Sequence, residues 1–242
     1  MKILVAIGDS HTNGSQIDGQ HGSSEYNLRN GFPAMIAKEY GYELHNVSKP
    51  GGSNQYIHRS TIHYINNYMH PENEYFFLIG WSSCNRIELR YPDNTPWLHH
   101  TKGDFTDLKN IPFTPGTDPI LWKSTQLKLL QNYTPFLFAN DDIMYAKWAG
   151  YALGLQHYLK AKGLPFYMHN TCERLPLNPA TNGIVSHIDP DYYLQPSEME
   201  WVYIVYLENL GYQKSQCWHF REDGHRVWAD ILIDKVKDYV IQ

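Results

Sequence analysis

The pattern of apolar positions predicts four strands. Residues 3–7 form an uninterrupted apolar run that stops at Gly8, and residues 74–79 lead in the same way to Gly80. Short apolar runs bounded by glycine are typical of strands buried on both faces of a parallel sheet. Residues 43–48, which precede a Pro-Gly-Gly turn, and residues 164–170 are predicted to be the other two strands.

Apolar residues at helical spacing lie between these strands. The first predicted helix, at residues 32–40, has one apolar face with Phe32, Met35, Ile36 and Tyr40. Pro33 suits its first turn, and the glycine at 41 can end it. The same spacing predicts further helices at about residues 55–69, 143–162 and 225–241. Strands that alternate with helices indicate an α/β fold, a three-layer α/β/α sandwich around a mainly parallel sheet.

The 242 residues fit one such domain, predicted to span residues 1–242. Residues 90–142 interrupt the pattern, because they are rich in proline and aromatic residues and have little periodicity. Long irregular segments of this kind are usually functional or lid-like. We therefore expect an insertion near the functional site and no second domain.

Composition narrows the possible partners and cofactors. The net charge is -5 and no basic stripe stands out, so nucleic acid is not an expected partner. Three cysteines make no disulfide framework, and no apolar run is long enough to span a bilayer. With no signal-peptide pattern, the expectation is a soluble cytoplasmic protein that binds no membrane. Metal-ligand, P-loop and dinucleotide motifs are absent from the sequence, so no metal or cofactor is predicted.

The ends of the predicted strands carry the candidate chemistry, because ligands bind at the carboxyl ends of strands in open α/β sheets. Ser10 follows the first strand, residues 48–54 follow the second, and residues 80–82 follow the third. A serine there can act as a nucleophile, and the alternative is a simple turn in which Ser10 or Asp9 caps a helix. His219, in the loop before the last helix, is the candidate base.

These segments together resemble the sequence blocks of the SGNH/GDSL hydrolase superfamily. Gly8-Asp9-Ser10 is similar to the first block, residues 46–51 to the second, residues 79–82 to the third, and residues 219–229 to the last. The third block and the aromatic C-terminal region also resemble those of phage-encoded members. The resemblance implies a flavodoxin-like parallel sheet and a serine esterase or deacylase that forms an acyl-enzyme.

Residue roles follow from the same resemblance. It implies Ser10 as nucleophile and His219 as general base, with the backbone N–H groups of Ser10 and Gly51 in the oxyanion hole. His225 is then expected to be structural, and Asp9 a turn or capping residue.

The sequence departs from the family at two positions. Ser82 stands where the family's third block usually has an asparagine that donates to the oxyanion, and Asn85 is an alternative donor. Gln216 stands where the family usually places the aspartate that orients the base. Gln216 can accept a hydrogen bond from His219 but brings no charge, and nearby carboxylates or a backbone carbonyl are alternatives.

The expected substrate is a carboxylic ester of a small molecule or a carbohydrate, such as an O-acetylated sugar. The carbohydrate part depends on the aromatic-rich insertion at residues 90–142 and on the family resemblance. The alternative, favoured by the two departures, is a catalytically impaired relative that binds glycans or is part of a virion. Cys84 and Cys217 lie near the predicted site loops, and we expect them to be small buried residues rather than nucleophiles.

Overall fold

The computed structural model describes residues 1–19, 24–89, 98–101, 140–215 and 218–240. Its central sheet consists of β1 (Lys2–Ile7), β2 (Glu43–Asn46), β3 (Glu74–Trp81) and β6 (Phe166–Asn170). These four strands are parallel and lie in the order β2-β1-β3-β6. A separate antiparallel hairpin is formed by β4 (Arg86–Leu89) and β5 (Leu98–Thr101).

Helices connect and cover the strands. In chain order they are α1 (Ser10–Asn13), α2 (Glu25–Asn30), α3 (Phe32–Tyr40), α4 (Asn54–Asn67), α5 (Asp141–Ala161), α6 (Asn182–Val185), α7 (Tyr203–Asn209) and α8 (Glu222–Val240). Two single 3₁₀ turns, Pro190–Tyr192 and Met199–Trp201, lie between α6 and α7. No helix within the described ranges is long and apolar enough to cross a membrane.

Each face of the sheet has its own apolar core, because successive side chains of a strand point to opposite faces. Along β1, Ile3, Val5 and Ile7 pack with residues of α4 and α5. Leu4 and Ala6 point to the other face and pack with residues of α3, α7 and α8. This arrangement is the predicted three-layer α/β/α sandwich, and the parallel sheet confirms the predicted fold class.

The predicted strands and long helices are confirmed, with ends displaced by a few residues. The helix at residues 32–40 has the predicted bounds, whereas β3 continues past residue 79 to Trp81. The helix α7 and the hairpin of β4 and β5 were not predicted. Most of the predicted insertion, residues 90–97 and 102–139, lies outside the described residues, so the insertion and the single-domain organisation stay predictions.

Candidate active site

Ser10 is the first residue of α1 and lies at the carboxyl end of β1, at the centre of the sheet. Asp9 caps this helix, because its Oδ1 accepts a hydrogen bond of 3.0 Å from the backbone N–H of His11. Gly8 permits the tight exit from the strand, since a Cβ at this position would lie 2.2 Å from Thr12 Oγ1. Ser10 Oγ makes no hydrogen bond to the described residues, so it is not yet bonded to His219.

The three loops at the strand ends converge, as expected for a parallel sheet, and asparagine side chains hold them together. Asn13 Nδ2 donates to the Ser48 carbonyl at 3.1 Å, which joins the loop of Ser10 to the loop after β2. Asn54 Nδ2 donates to the Ser82 carbonyl at 3.1 Å, and Asn54 Oδ1 accepts from Ser82 N–H at 2.7 Å. These buried contacts fix the three loops relative to one another.

His219 lies immediately before α8 and is held through both its backbone and its ring. Its carbonyl accepts from Ser215 N–H at 2.8 Å, and its own N–H donates to Ser215 Oγ at 3.3 Å. Its ring centroid is 4.8 Å from that of His11, the residue next to Ser10. The structure thus brings the predicted base beside the predicted nucleophile loop.

The hydrogen-bond partner of the His219 ring was not foreseen. Nδ1 of His219 lies 3.1 Å from Oε1 of Gln16. Gln16 has a left-handed backbone with a φ of 66°, which is uncommon outside glycine. Gln216, which the sequence predicts as the residue that orients His219, lies outside the described residues, so its role stays a prediction. The sequence offers no signal for Gln16 beyond its position in the loop that follows Ser10.

Two further histidines near the site are buried and neutral. Burial lowers the pKa of His11 to about 3, although the nearby Asp9 carboxylate partly opposes this effect. Burial also lowers the pKa of His225 to about 3. His225 Nδ1 accepts from Phe32 N–H at 3.3 Å, and its Nε2 lies 3.2 Å from Tyr203 Oη. These contacts agree with the structural role expected for His225.

Asp9 is the centre of a buried polar cluster behind Ser10. Its Oδ2 accepts hydrogen bonds from Ser82 Oγ at 2.9 Å, Arg86 Nη1 at 2.9 Å, Thr171 Oγ1 at 3.0 Å and Cys172 Sγ at 3.1 Å. Burial alone would raise the pKa of Asp9, but neighbouring His11 and Arg86, together with these hydrogen bonds, hold it well below its ordinary value. Asp9 is thus an ionised residue that fixes the turn, as expected.

The predicted oxyanion donors differ in their surroundings. Gly51 has a φ of 74°, and its N–H has no acceptor among the described residues. The Ser82 hydroxyl accepts from Arg86 Nη1 at 2.7 Å and donates its hydrogen to Asp9. Asn85 Nδ2 donates to Glu173 Oε1 at 3.3 Å. Both side chains are therefore engaged elsewhere in this structure, and an oxyanion role for Ser82 stays a prediction.

One group of side chains has the composition of a metal site. Donor atoms of Asp9, His11 and Cys172 lie within 4.8 Å of one another. The guanidinium of Arg86 already pairs with the carboxylate, and burial and Asp9 raise the pKa of the Cys172 thiol to about 12. Because a thiolate is the form that binds metal, these residues fit the guanidinium of Arg86 better than a metal ion.

The predicted buried cysteines have one described member. Burial raises the pKa of Cys84 to about 12, as expected for a buried thiol, and Cys217 lies outside the described residues.

The chain resembles known proteins at the level of the fold. No protein-family profile matches the chain, and no curated protein matches it. Among solved structures, a carbohydrate esterase described as having divergent catalytic and non-catalytic binding functions matches with a TM-score of 0.50 and 12% identity, over 98% of this chain and 68% of its own.

Two other solved structures match over nearly the whole chain. The psychrotrophic esterase EstA from Pseudoalteromonas sp. matches with a TM-score of 0.49 and 10% identity, over 99% of each chain. A lipolytic protein of the G-D-S-L family from Desulfitobacterium hafniense matches with a TM-score of 0.44 and 12% identity, over 96% of this chain and 98% of its own.

The chain therefore has the fold expected from its resemblance to the SGNH/GDSL hydrolases. The comparisons give no support to the resemblance to phage-encoded members, which stays a prediction.

Proposed function

We propose that this protein is a serine esterase or deacylase that hydrolyses a carboxylic ester through an acyl-enzyme on Ser10, with His219 as general base. The observation that carries the proposal is the placement of the His219 ring against His11, the residue that follows Ser10 at the carboxyl end of β1. The SGNH-hydrolase fold supports it, because the nucleophile and base blocks of that family fall on these positions.

The reaction needs only groups of this chain and water. Ser10 Oγ attacks the ester carbonyl carbon while its proton passes to His219 Nε2. His219 then gives this proton to the leaving alcohol oxygen as the ester C–O bond breaks. In the second half, His219 takes a proton from water, the resulting oxygen attacks the acyl carbon, and the acid leaves as Ser10 regains its hydrogen.

Negative charge develops on the carbonyl oxygen in both tetrahedral intermediates. The N–H groups of Ser10 and Gly51 are the proposed donors to it, with Ser82 as the predicted third. The Gly51 N–H is available for this because no described residue accepts it. The Asp9 carboxylate does not take part in proton transfer, since hydrogen bonds and Arg86 hold it ionised behind the site.

An exposed tryptophan beside the base supports a carbohydrate as the alcohol part of the ester. Trp218 precedes His219, is 70% exposed and has a φ of 67°, an outlier for a bulky residue. Lys214 Nζ lies 4.8 Å from the centroid of its ring. The same lysine lines a polar groove of about 570 Å³, together with residues that include Ser215 and Arg221. An exposed aromatic face next to polar groups suits a sugar ring.

Steady-state hydrolysis of p-nitrophenyl acetate and of an O-acetylated oligosaccharide tests the proposal. We expect wild-type turnover of both esters and a loss of at least about 10²-fold in Ser10→Ala and in His219→Ala. Ser186→Ala, which changes an exposed serine, is the control and should keep full activity. Equal activity in wild type and Ser10→Ala would contradict the proposal.

The glycan-binding alternative makes a different prediction. If the protein binds without catalysis, folded wild type will hydrolyse neither ester, and the unesterified oligosaccharide will still bind. Calorimetry with that oligosaccharide distinguishes the two functions, because binding without any turnover favours the alternative. The engagement of the Ser82 hydroxyl by Asp9 is the observation that favours this second candidate.

A further inference from the structure

The ring of His219 has a partner that the SGNH resemblance does not provide. In that family an aspartate shortly before the histidine usually orients the base, and the position here holds Gln216. In the structure, the partner is a residue far from His219 in the sequence, since Gln16 Oε1 lies 3.1 Å from His219 Nδ1. Gln16 lies in the loop that begins with Ser10, so one loop carries both the proposed nucleophile and this contact.

The backbone between Ser10 and Gln16 is bent back on itself. The Ser15 N–H donates to the Ser10 carbonyl at 2.9 Å, and Gly14 ends α1 in the left-handed region with a φ of 75°. A Cβ on Gly14 would lie 2.7 Å from the Asn27 carbonyl oxygen, so the chain passes close to α2 at this point. The turn therefore directs Gln16 back toward the site.

Gln16 itself has an unfavourable backbone conformation. A left-handed φ in a residue other than glycine is strained and persists only where the surrounding structure imposes it, often at functional sites. The backbone carbonyl of Gln16 accepts from Gly19 N–H at 2.9 Å, which stabilises the turn. The residue that contacts the base is thus held in a conformation that its surroundings must impose.

We propose that Gln16 is the positioning residue of His219: its amide oxygen accepts the Nδ1 hydrogen, which leaves Nε2 unprotonated and able to take the proton of Ser10. The role of Gln16 in catalysis rests on the proposed function, but the tautomer of His219 can be measured without any substrate. An amide in this position fixes the tautomer and the ring orientation, as an aspartate would. It supplies no negative charge to stabilise the imidazolium.

The tautomer matters as much as the orientation. In serine proteases, replacing the triad aspartate with asparagine lowers turnover about 10⁴-fold because the imidazole takes the wrong tautomer. Gln16 supports catalysis only if its oxygen, and not its amino group, faces Nδ1. Imidazole ¹⁵N spectra distinguish the two tautomers directly, and the His219 signals can be assigned from their loss in His219→Ala.

Three variants test the proposal. Gln16→Asn and Gln16→Gly both tolerate a left-handed backbone, and neither reaches His219. We expect each to lower kcat for p-nitrophenyl acetate about 10²-fold with little change in KM, and to mix the His219 tautomers. Gln16→Glu adds a carboxylate beside Nδ1, so the acid limb of the rate profile and the NMR titration of His219 should both move up by about one pH unit or more.

Gln195→Asn is the matched control, since Gln195 is also a left-handed glutamine, with a φ of 36°, and is exposed. It should change neither the tautomer nor the rate. An unchanged His219 tautomer in Gln16→Asn, or an unchanged His219 titration in Gln16→Glu, would overturn the positioning role. If the tautomer depends on Gln16 but wild type hydrolyses no ester, the positioning role stands and the proposed function fails.

Discussion

The guanidinium of Arg86 and the carboxylate of Asp9 form a buried ion pair, with Nη1 2.9 Å from Oδ2. The side chain of Asp9 is fully buried, whereas that of Arg86 is 17% exposed. Asp9 directly precedes Ser10, and Arg86 belongs to the hairpin that leads into residues 90–97. This pair therefore ties the hairpin to the turn that presents the proposed nucleophile.

Removing the cation should destabilise the fold. Arg86→Met leaves the Asp9 carboxylate buried without its charge partner, and breaking a buried pair in this way typically costs about 3–5 kcal/mol. Urea unfolding measures this change. Arg29→Met is the control, because Arg29 pairs with Glu25 at the surface and its loss should cost less than about 1 kcal/mol. Equal unfolding free energies for the two variants would contradict a structural role for the pair.

Acid should destabilise the protein below about pH 6.5. His11 and His225 have folded-state pKa values of about 3, below the ordinary value of 6.5, because burial disfavours their charged forms. Their neutral forms contribute stability that is present above pH 6.5 and is lost as the unfolded chain binds protons at lower pH. Each can reduce the unfolding free energy by up to about 1.4 kcal/mol per pH unit.

Urea midpoints at pH 7.5 and pH 5 measure this dependence. We expect a clearly lower midpoint at pH 5, and a smaller difference in His225→Asn, which removes one of the buried histidines whose pKa is lowered. Identical midpoints at the two pH values would show that these histidines are not held neutral in the folded protein.

A methyl group added at Gly8 should destabilise the nucleophile turn. Its Cβ would lie 2.2 Å from Thr12 Oγ1 and 3.0 Å from the Gly80 carbonyl oxygen, so the backbone must shift. Overpacking of this kind costs about 1–3 kcal/mol. Gly150→Ala is the matched comparison, since Gly150 lies in α5 with no atom within 4 Å of its added Cβ and should stabilise by about 0.5–1 kcal/mol. Thermal unfolding of both variants should give shifts of opposite sign.

Trp218 should affect carbohydrate esters more than simple ones. In Trp218→Ala, we expect KM for an O-acetylated oligosaccharide to rise about 10-fold, while kcat/KM for p-nitrophenyl acetate changes less than about 3-fold, because only the sugar would contact the ring. Trp201→Ala, at a half-buried tryptophan outside the site, is the control. An equal loss for both substrates would indicate that Trp218 supports His219 and does not bind sugar.

The sheet could be predicted from the sequence because burial on both faces leaves a direct pattern. Residues 3–7 and 75–79 are apolar throughout, and the structure places them at the centre of the sheet. The helix α7, with seven residues, was missed because it is too short to establish a helical period. The end of β3 was displaced because pairing with β6 continues past the apolar run, through Gly80 and Trp81, which lie opposite His169 and Asn170.

The site was only partly predictable, for a physical reason. The strand-end positions of Ser10, Gly51 and Ser82 follow from topology, since parallel strands end at one edge. The hydrogen bond of Ser82 to Asp9 and the contact of Gln16 with His219 depend on side-chain directions and on a left-handed turn. No sequence period encodes these features, so only three-dimensional structure reveals them.

Covalent labelling shows whether Ser10 is a nucleophile activated by His219. The measurement is reaction with a fluorophosphonate probe, followed by mass spectrometry of the digested protein. We expect one adduct per chain on the peptide that contains Ser10, with none in Ser10→Ala and strongly slowed labelling in His219→Ala. Folded wild-type protein that takes up no probe, or an adduct on another residue that persists in Ser10→Ala, would contradict it.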